Sequence, residues 1–248
     1  MTINRFLGVD LGRTPRDESG GVALERVGAG DVRLVSADTL RIHDDTLRWI
    51  TRERGRNGAV ISINAPLIVE NSGGSRPCDR QLAEHFSRYR IDEYANNIVA
   101  ASHSRTTGKA LARMGFELDP SAEGDRCVET HTQAAQVLLF GLERPVRLRN
   151  GPIGTRKDAV ARLRDLMGQH FVGGHPNLVR SPELDRLFQV NLQELNGTRL
   201  GELEGKIEAL LCAYISAFLC IAGPDACAML GDLRYGYILL PDPNRLPR

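Results

Sequence analysis

The stretch TLRWITRERGRNGAVISINAPL, residues 46–67, decides the architecture. Its first half places Leu47, Ile50 and the stems of several arginines at helical spacing, with Asp44 and Asp45 just ahead, where acid complements a helix N-terminus. Its second half, AVISI, is a short apolar run that reads as a buried strand. A helix entering such a strand is a crossover, and a crossover permits parallel pairing with an earlier strand. The run stops at Asn64, Ala65 and Pro66, because proline cannot continue a hydrogen-bonded ladder.

Upstream, NRFLGVD (4–10) reads as a strand that runs through an acid into a turn at Gly12. GGVALERV (20–27) and DVRLVSADTL (31–40) read as two more strands, and the short links between the three predict an antiparallel meander. The order is therefore three strands, a helix, and a fourth strand parallel to the first. Downstream, ENSGGSRP is a loop and DRQLAEHFSRY a helix, while residues 90–104 have no single reading. TTGKALARMGF is helical, GDRCVETHT (124–132) is a fifth strand, and AAQVLLFGL follows it as a helix. Thr155–Met167 and Pro182–Leu195 predict further helices, with Pro182 suited to a first helical turn. ELEGKIEALLCAYISAFLCIAG is the last long helix, and a short strand, YGYILLP, closes the fold. The expected organisation is one domain over residues 1–248 with a helical insertion at 132–200.

A chain of 248 residues that is 42% hydrophobic can bury a sizeable core. Thirty-two Lys plus Arg against thirty-one Asp plus Glu leave a net charge of +1, so a nucleic acid or membrane partner has to be met by a local patch. The five cysteines are odd in number and form no CxxC pair, which argues against a disulfide framework or zinc knuckle and for a reducing cytoplasm. The N-terminus shows no signal-peptide pattern, and the apolar run Ala209–Gly223 contains Tyr214 and Ser216, which makes it a core helix rather than a membrane span.

Acids or their amides recur where apolar elements meet turns: Asp10 ends strand one, Asn64 ends strand four, and Glu129 lies in strand five just before His131. Side chains at the ends of neighbouring parallel strands converge in the crevice where open α/β sheets hold ligands. Glu208 shares a helix face with Cys212, Ile215 and Leu219, and a carboxylate heading a buried stripe needs a partner. Hard oxygen ligands from several elements suit Mg²⁺ or Mn²⁺, and metal-assisted phosphodiester hydrolysis is the chemistry such a cluster performs. Each residue also has a plainer role. Asp10 before a glycine turn is a turn former, Glu208 complements a helix N-terminus or pairs with Lys206 or an arginine, and His131 is a satisfied imidazole.

The sequence GVDLG, then SINAPL, RPCDRQL, VETHTQAA and KIEALLCAYISAF, in that order, resembles the predicted RNase H-like nucleases of domain-of-unknown-function family 429. The resemblance spans roughly residues 5–241. It implies an RNase H-like fold: a five-stranded mixed sheet with strands one to three antiparallel, strands four and five parallel to the first, and helices on both faces. It also implies a metal-dependent nuclease whose carboxylates match Asp10, the acid of the strand-four motif, Glu129 and Glu208. Where family members carry an aspartate in that motif this chain has Asn64, which brings no negative charge and should weaken affinity for a second ion.

From Arg144 to Arg164 the chain carries seven basic residues and one acid, and Arg147, Arg149, Arg156 and Lys157 are candidates for holding the phosphates of DNA or RNA. The alternative is a solvated helix face with pairs such as Asp158 with Arg162. Two other readings stay open. GVDLGRT also resembles the first phosphate loop of actin-like and sugar-kinase ATPases, with Gly12 and Thr14 near nucleotide phosphates and Asp10 near Mg²⁺. A non-catalytic nucleic-acid-binding or interaction protein on the same scaffold fits the amide at Asn64. The favoured expectation is a divalent-metal-dependent hydrolase with Asp10 and Glu208 as ligands and Glu129 and Asn64 beside them. Substrate and oligomeric state carry no sequence signal.

Overall fold

In the computed structural model, which describes residues 3–91 and 95–245, β1 (Arg5–Asp10), β2 (Ser19–Arg26) and β3 (Asp31–Leu40) form the expected antiparallel meander. Acid at Asp44 and Asp45 opens α1 (His43–Glu53), which crosses over to β4 (Ala59–Ile63), and β4 lies parallel to β1. Two helices, α2 (Pro77–His85) and α3 (Ser102–Arg113), precede β5 (Arg126–Glu129), which is parallel to β4. Of the ambiguous stretch 90–104, residues 92–94 lie outside the described residues, as do residues 1, 2 and 246–248 of the expected domain. There follow α4 (Thr132–Phe140), α5 (Ile153–Phe171), β6 (Asn177–Val179), α6 (Pro182–Phe188) and the long α7 (Gly197–Ala222), then β7 (Cys227–Asp232) and β8 (Gly236–Pro241).

The main sheet has the order β5-β4-β1-β2-β3-β6, the mixed arrangement of an RNase H-like fold with one strand added outside β3. Six strands rather than five is a correction. β6 is only three residues, NLV, too short to show alternation, and it adds to β3 in parallel. Residues 132–200 therefore contain a strand of the main sheet as well as three helices. The expected helix 182–195 ends at Phe188 and is followed by a separate turn at Leu192–Glu194. The closing strand is not alone either: β8 pairs with β7 in a two-stranded sheet, and CAMLGD gave no strand signal because Gly231 and Asp232 read as turn formers.

Alternation along the strands separates two core layers. Phe6, Val22, Leu24 and Val60 pack with α4, α5 and α7 on one face, whereas Leu7, Val9, Ile61 and Ile63 pack with Trp49 of α1 and Leu111 of α3 on the other. All five cysteines are free. By length and composition α7 could cross a membrane, but 72% of its most apolar window is buried inside the protein.

What sets the position of α7 is the absence of side chains beneath it. A Cβ on Gly8 would stand 2.1 Å from the Ala209 carbonyl oxygen and from the Ala213 nitrogen, and one on Gly20 would stand 2.0 Å from the Gly205 carbonyl oxygen. Backbone therefore rests on backbone along this seam, and Ser216 donates to the Leu7 carbonyl at 2.7 Å beside it. Gly8→Ala is expected to push α7 off the sheet at a cost of about 2–3 kcal/mol or more. A urea midpoint equal to that of the parent would contradict this placement.

Candidate functional site

Residues 6, 8 and 10 of β1 face α7, so the register carries Asp10 to the end of the seam that Gly8 and Gly20 open. The helix begins at Gly197, where Asn196 accepts from the Arg199 N–H, so Glu208 lies about three turns inside it and does not serve the N-terminus. Glu208 comes close enough to Asp10 for a single guanidinium to reach both carboxylates. Both are largely withdrawn from solvent, with side chains 4% exposed for Asp10 and 12% for Glu208.

The guanidinium of Arg149 spans the pair. Its Nη2 donates to Asp10 Oδ2 at 2.7 Å, and its Nη1 lies 3.8 Å from Glu208 Oε2. Arg149 adopts a left-handed backbone conformation, φ 58°, in the loop before α5. Its backbone N–H donates to Glu204 Oε1 at 3.0 Å. Glu204, one turn before Glu208 and fully buried, also takes two bonds from Arg156, at 2.9 Å and 2.5 Å. Sequence reasoning missed Glu204. The available signal was the i, i+4 pair of acids on one face of an apolar helix, an unfavourable arrangement that calls for cations.

Asn64 reaches the same place from the end of β4. Its Nδ2 donates to Asp10 Oδ1 at 3.1 Å, while its Oδ1 accepts from the Thr132 N–H at 3.3 Å. The amide thus orients Asp10 and spends its oxygen on α4, so it offers no oxygen to an ion between Asp10 and Glu208.

Glu129 is not brought to this pair. It lies in one row with Val9 and Ile63, whose side chains face α1 and α3, so it projects from the opposite side of the sheet to Asp10. There it receives Arg76 Nη2 at 2.5 Å, Arg76 Nη1 at 2.8 Å and the Leu67 N–H at 2.9 Å. Arg76, only 1% exposed, also holds Asp79. Burial pushes the Glu129 carboxyl up from its ordinary range and Arg76 pulls it back down. His131 caps α4, accepting from the Ala134 N–H.

The basic segment divides in the same way. Arg149 and Arg156 are bound to acids, Arg147 donates to the Arg90 carbonyl, and Lys157 donates to the Gln193 carbonyl at 3.1 Å. In the loop after β1, the Gly12 N–H is taken by Ser19 Oγ and the Thr14 N–H by Asp17 Oδ2, so neither donor points outward to a phosphate.

The profile of the family described as protein of unknown function (DUF429) matches residues 8–228. The chain belongs to this family. Two solved structures of Thermus thermophilus RuvC are also similar. The one in complex with Holliday junction substrate is 13% identical, covers 80% of this chain and 97% of that chain, and has a TM-score of 0.32. The other is 14% identical, covers 86% of this chain and 97% of that chain, and has a TM-score of 0.33. No curated protein matches.

In this DUF429 chain no group of three or more His, Cys, Asp or Glu is placed to hold a metal ion among the described residues. The pair Asp10–Glu208 nevertheless fits a single hard divalent cation. Two carboxylates suffice where water and substrate oxygens complete the shell, and the pair is short of positive charge. Burial and the adjacent Asp10 hold the Glu208 carboxyl well above its usual range, and Arg149 offsets only part of this. A raised carboxyl binds its proton more tightly in the folded state, so the protein loses stability as pH rises above about 4.5, the ordinary value. Glu208→Gln removes that loss. In metal-free buffer its melting temperature, relative to the parent, should climb as pH rises above about 4.5; a difference independent of pH would contradict the assignment.

Proposed function

We propose that this protein is a divalent-metal-dependent phosphodiester hydrolase acting on nucleic acid, with Asp10 and Glu208 as the two protein ligands of one Mg²⁺ or Mn²⁺. The observation that carries this reading is a pair of nearly buried carboxylates, one from the central strand and one from the helix crossing it, bridged by one arginine at the end of an RNase H-like sheet. A bound divalent ion polarises a phosphoryl oxygen and makes water a nucleophile at neutral pH. The chain's own contribution is to position. Asn64 fixes the Asp10 carboxylate through Oδ1, α7 fixes Glu208, and Arg149, 45% exposed, presents N–H donors to a phosphate at the mouth of the site. Glu204 holds the loop carrying Arg149. Glu129 belongs to the clamp made by Arg76 and supports the loop after β4 through the Leu67 N–H and, through Arg76 Nη1, the Ile68 carbonyl.

The direct test is cleavage of single-stranded DNA, duplex DNA, RNA and a branched DNA in Mg²⁺ and in Mn²⁺. Cleavage by the parent should fall at least ~100-fold in Asp10→Asn and in Glu208→Gln, in line with the loss of a metal's electrostatic assistance. Cleavage that survives both substitutions would sink the proposal.

A second reading is a non-catalytic binding protein, and one observation favours it: Arg149 and Arg156 already supply cations to Asp10, Glu208 and Glu204. Asn64→Asp separates the two. It sets a third carboxylate against Asp10, so in EDTA the variant should lose roughly 1–3 kcal/mol, read as a lower melting temperature. With Mn²⁺ added, the hydrolase reading expects that loss to be recovered and exceeded. The binding-protein reading expects no recovery.

A further inference from the structure

Arg149 stands where a cation would stand, on the same carboxylates that the proposed hydrolase needs for its ion. A lone divalent ion has to displace it, giving up a charge-assisted bond of 2.7 Å and leaving a guanidinium without its acids. It receives little in return, because among the described residues no third acid is placed with the pair to hold a metal ion, and the nearby Glu204 is engaged by Arg156.

The way Arg149 is built makes displacement of the side chain alone feasible. Its backbone is pinned: the N–H is held by Glu204, which is itself held by Arg156, and φ lies at 58°. Its side chain is the less enclosed part, 45% exposed and running past Gly205, where a Cβ would stand 3.1 Å from Arg149 Nη2. The guanidinium can therefore turn outward without the loop leaving α7, and Gly205 leaves the path clear. Its planar fork matches the oxygens of a phosphate group, which offers the bidentate anionic partner that it would lose on leaving Asp10.

We propose that Arg149 makes the site take its divalent ion and a phosphate group together. Arg149 passes from Asp10 and Glu208 to a phosphate oxygen as the ion takes the two carboxylates. This rests on the metal-site reading given above and adds to it the ligand that the ion arrives with. No covalent bond is made or broken in the exchange: one cation replaces another on the carboxylates, and the displaced cation is matched by the incoming anion. Ion and phosphate then favour each other's binding by the same factor, as linkage requires.

The test measures Mn²⁺ binding to the full chain by the electron paramagnetic resonance of free ion. It is run with and without inorganic phosphate, kept below the concentration at which manganese phosphate precipitates. The parent should bind Mn²⁺ weakly alone and about tenfold more tightly with phosphate, within the usual range of coupling between sites. Arg149→Gln keeps the loop backbone and removes the charge. It should bind Mn²⁺ about tenfold more tightly than the parent without phosphate, and phosphate should no longer improve its binding. Arg149→Met, which also removes the charge but keeps the length of the side chain, should bind as the glutamine variant does, and it keeps the test decisive if the glutamine variant folds poorly. If parent and Arg149→Gln bind Mn²⁺ equally, or if phosphate coupling persists in Arg149→Gln, the exchange is wrong while the metal site stands. Were no variant to bind Mn²⁺ with or without phosphate, or were binding indifferent to Asp10→Asn, the metal site itself would be wrong and the exchange would fall with it.

Discussion

The contact between α7 and the glycines of the sheet governs the rest of the molecule. With no side chain at Gly8 or Gly20, the helix backbone settles on the strand backbone, within reach of the carbonyls of Ala209 and Gly205. That approach brings Glu204 and Glu208 to the end of β1, and it does so at the cost of burying them near Asp10. Buried carboxylates persist only with cations and hydrogen bonds to satisfy them. The loop ahead of α5 answers that need with Arg149, and the first turn of α5 answers it with Arg156. The geometry of the site is thus a consequence of a packing decision made several residues away.

Two arginine–carboxylate clusters flank the sheet, and their difference in exposure marks their difference in role. Arg76, 1% exposed, is enclosed by Glu129 and Asp79 and ties the chain leaving β4 to β5. Removing one partner from such an enclosed set strands a charge, so its contribution is to hold the structure together. Arg149 faces an equally buried pair of acids but is 45% exposed itself, so the second cluster opens to solvent on one side. A buried acid pair with an accessible counter-ion, and with Glu208 pushed up by burial and by Asp10, is an arrangement suited to exchanging ligands.

Much of the architecture was legible in the sequence, and the exceptions have physical causes. The meander, the α1 crossover and α7 announced themselves because each is long enough to display its period and is bounded by turn formers or acids. β6 escaped because three residues cannot alternate convincingly, and β7 because its glycine and aspartate imitate a turn. Among the site residues, Asp10 and Glu208 were legible as acids misplaced on apolar elements. The side of the sheet that Glu129 faces was not, since it depends on a register between β4 and β5 in which a shift of one residue inverts the answer.

The amino-acid sequence by itself determined the order of elements, the parallel entry of β4 and the presence of acids that demand compensation, because these follow from local periodicity and the cost of burying charge. Tertiary structure alone decided which compensation each acid receives. Arg76 goes to Glu129 across 53 positions, and Arg149 to Asp10 across 139 positions. Nothing local distinguishes one arginine from another in a chain of balanced charge, and only the close seating of α7 on bare glycines brings the right pairs within bonding distance.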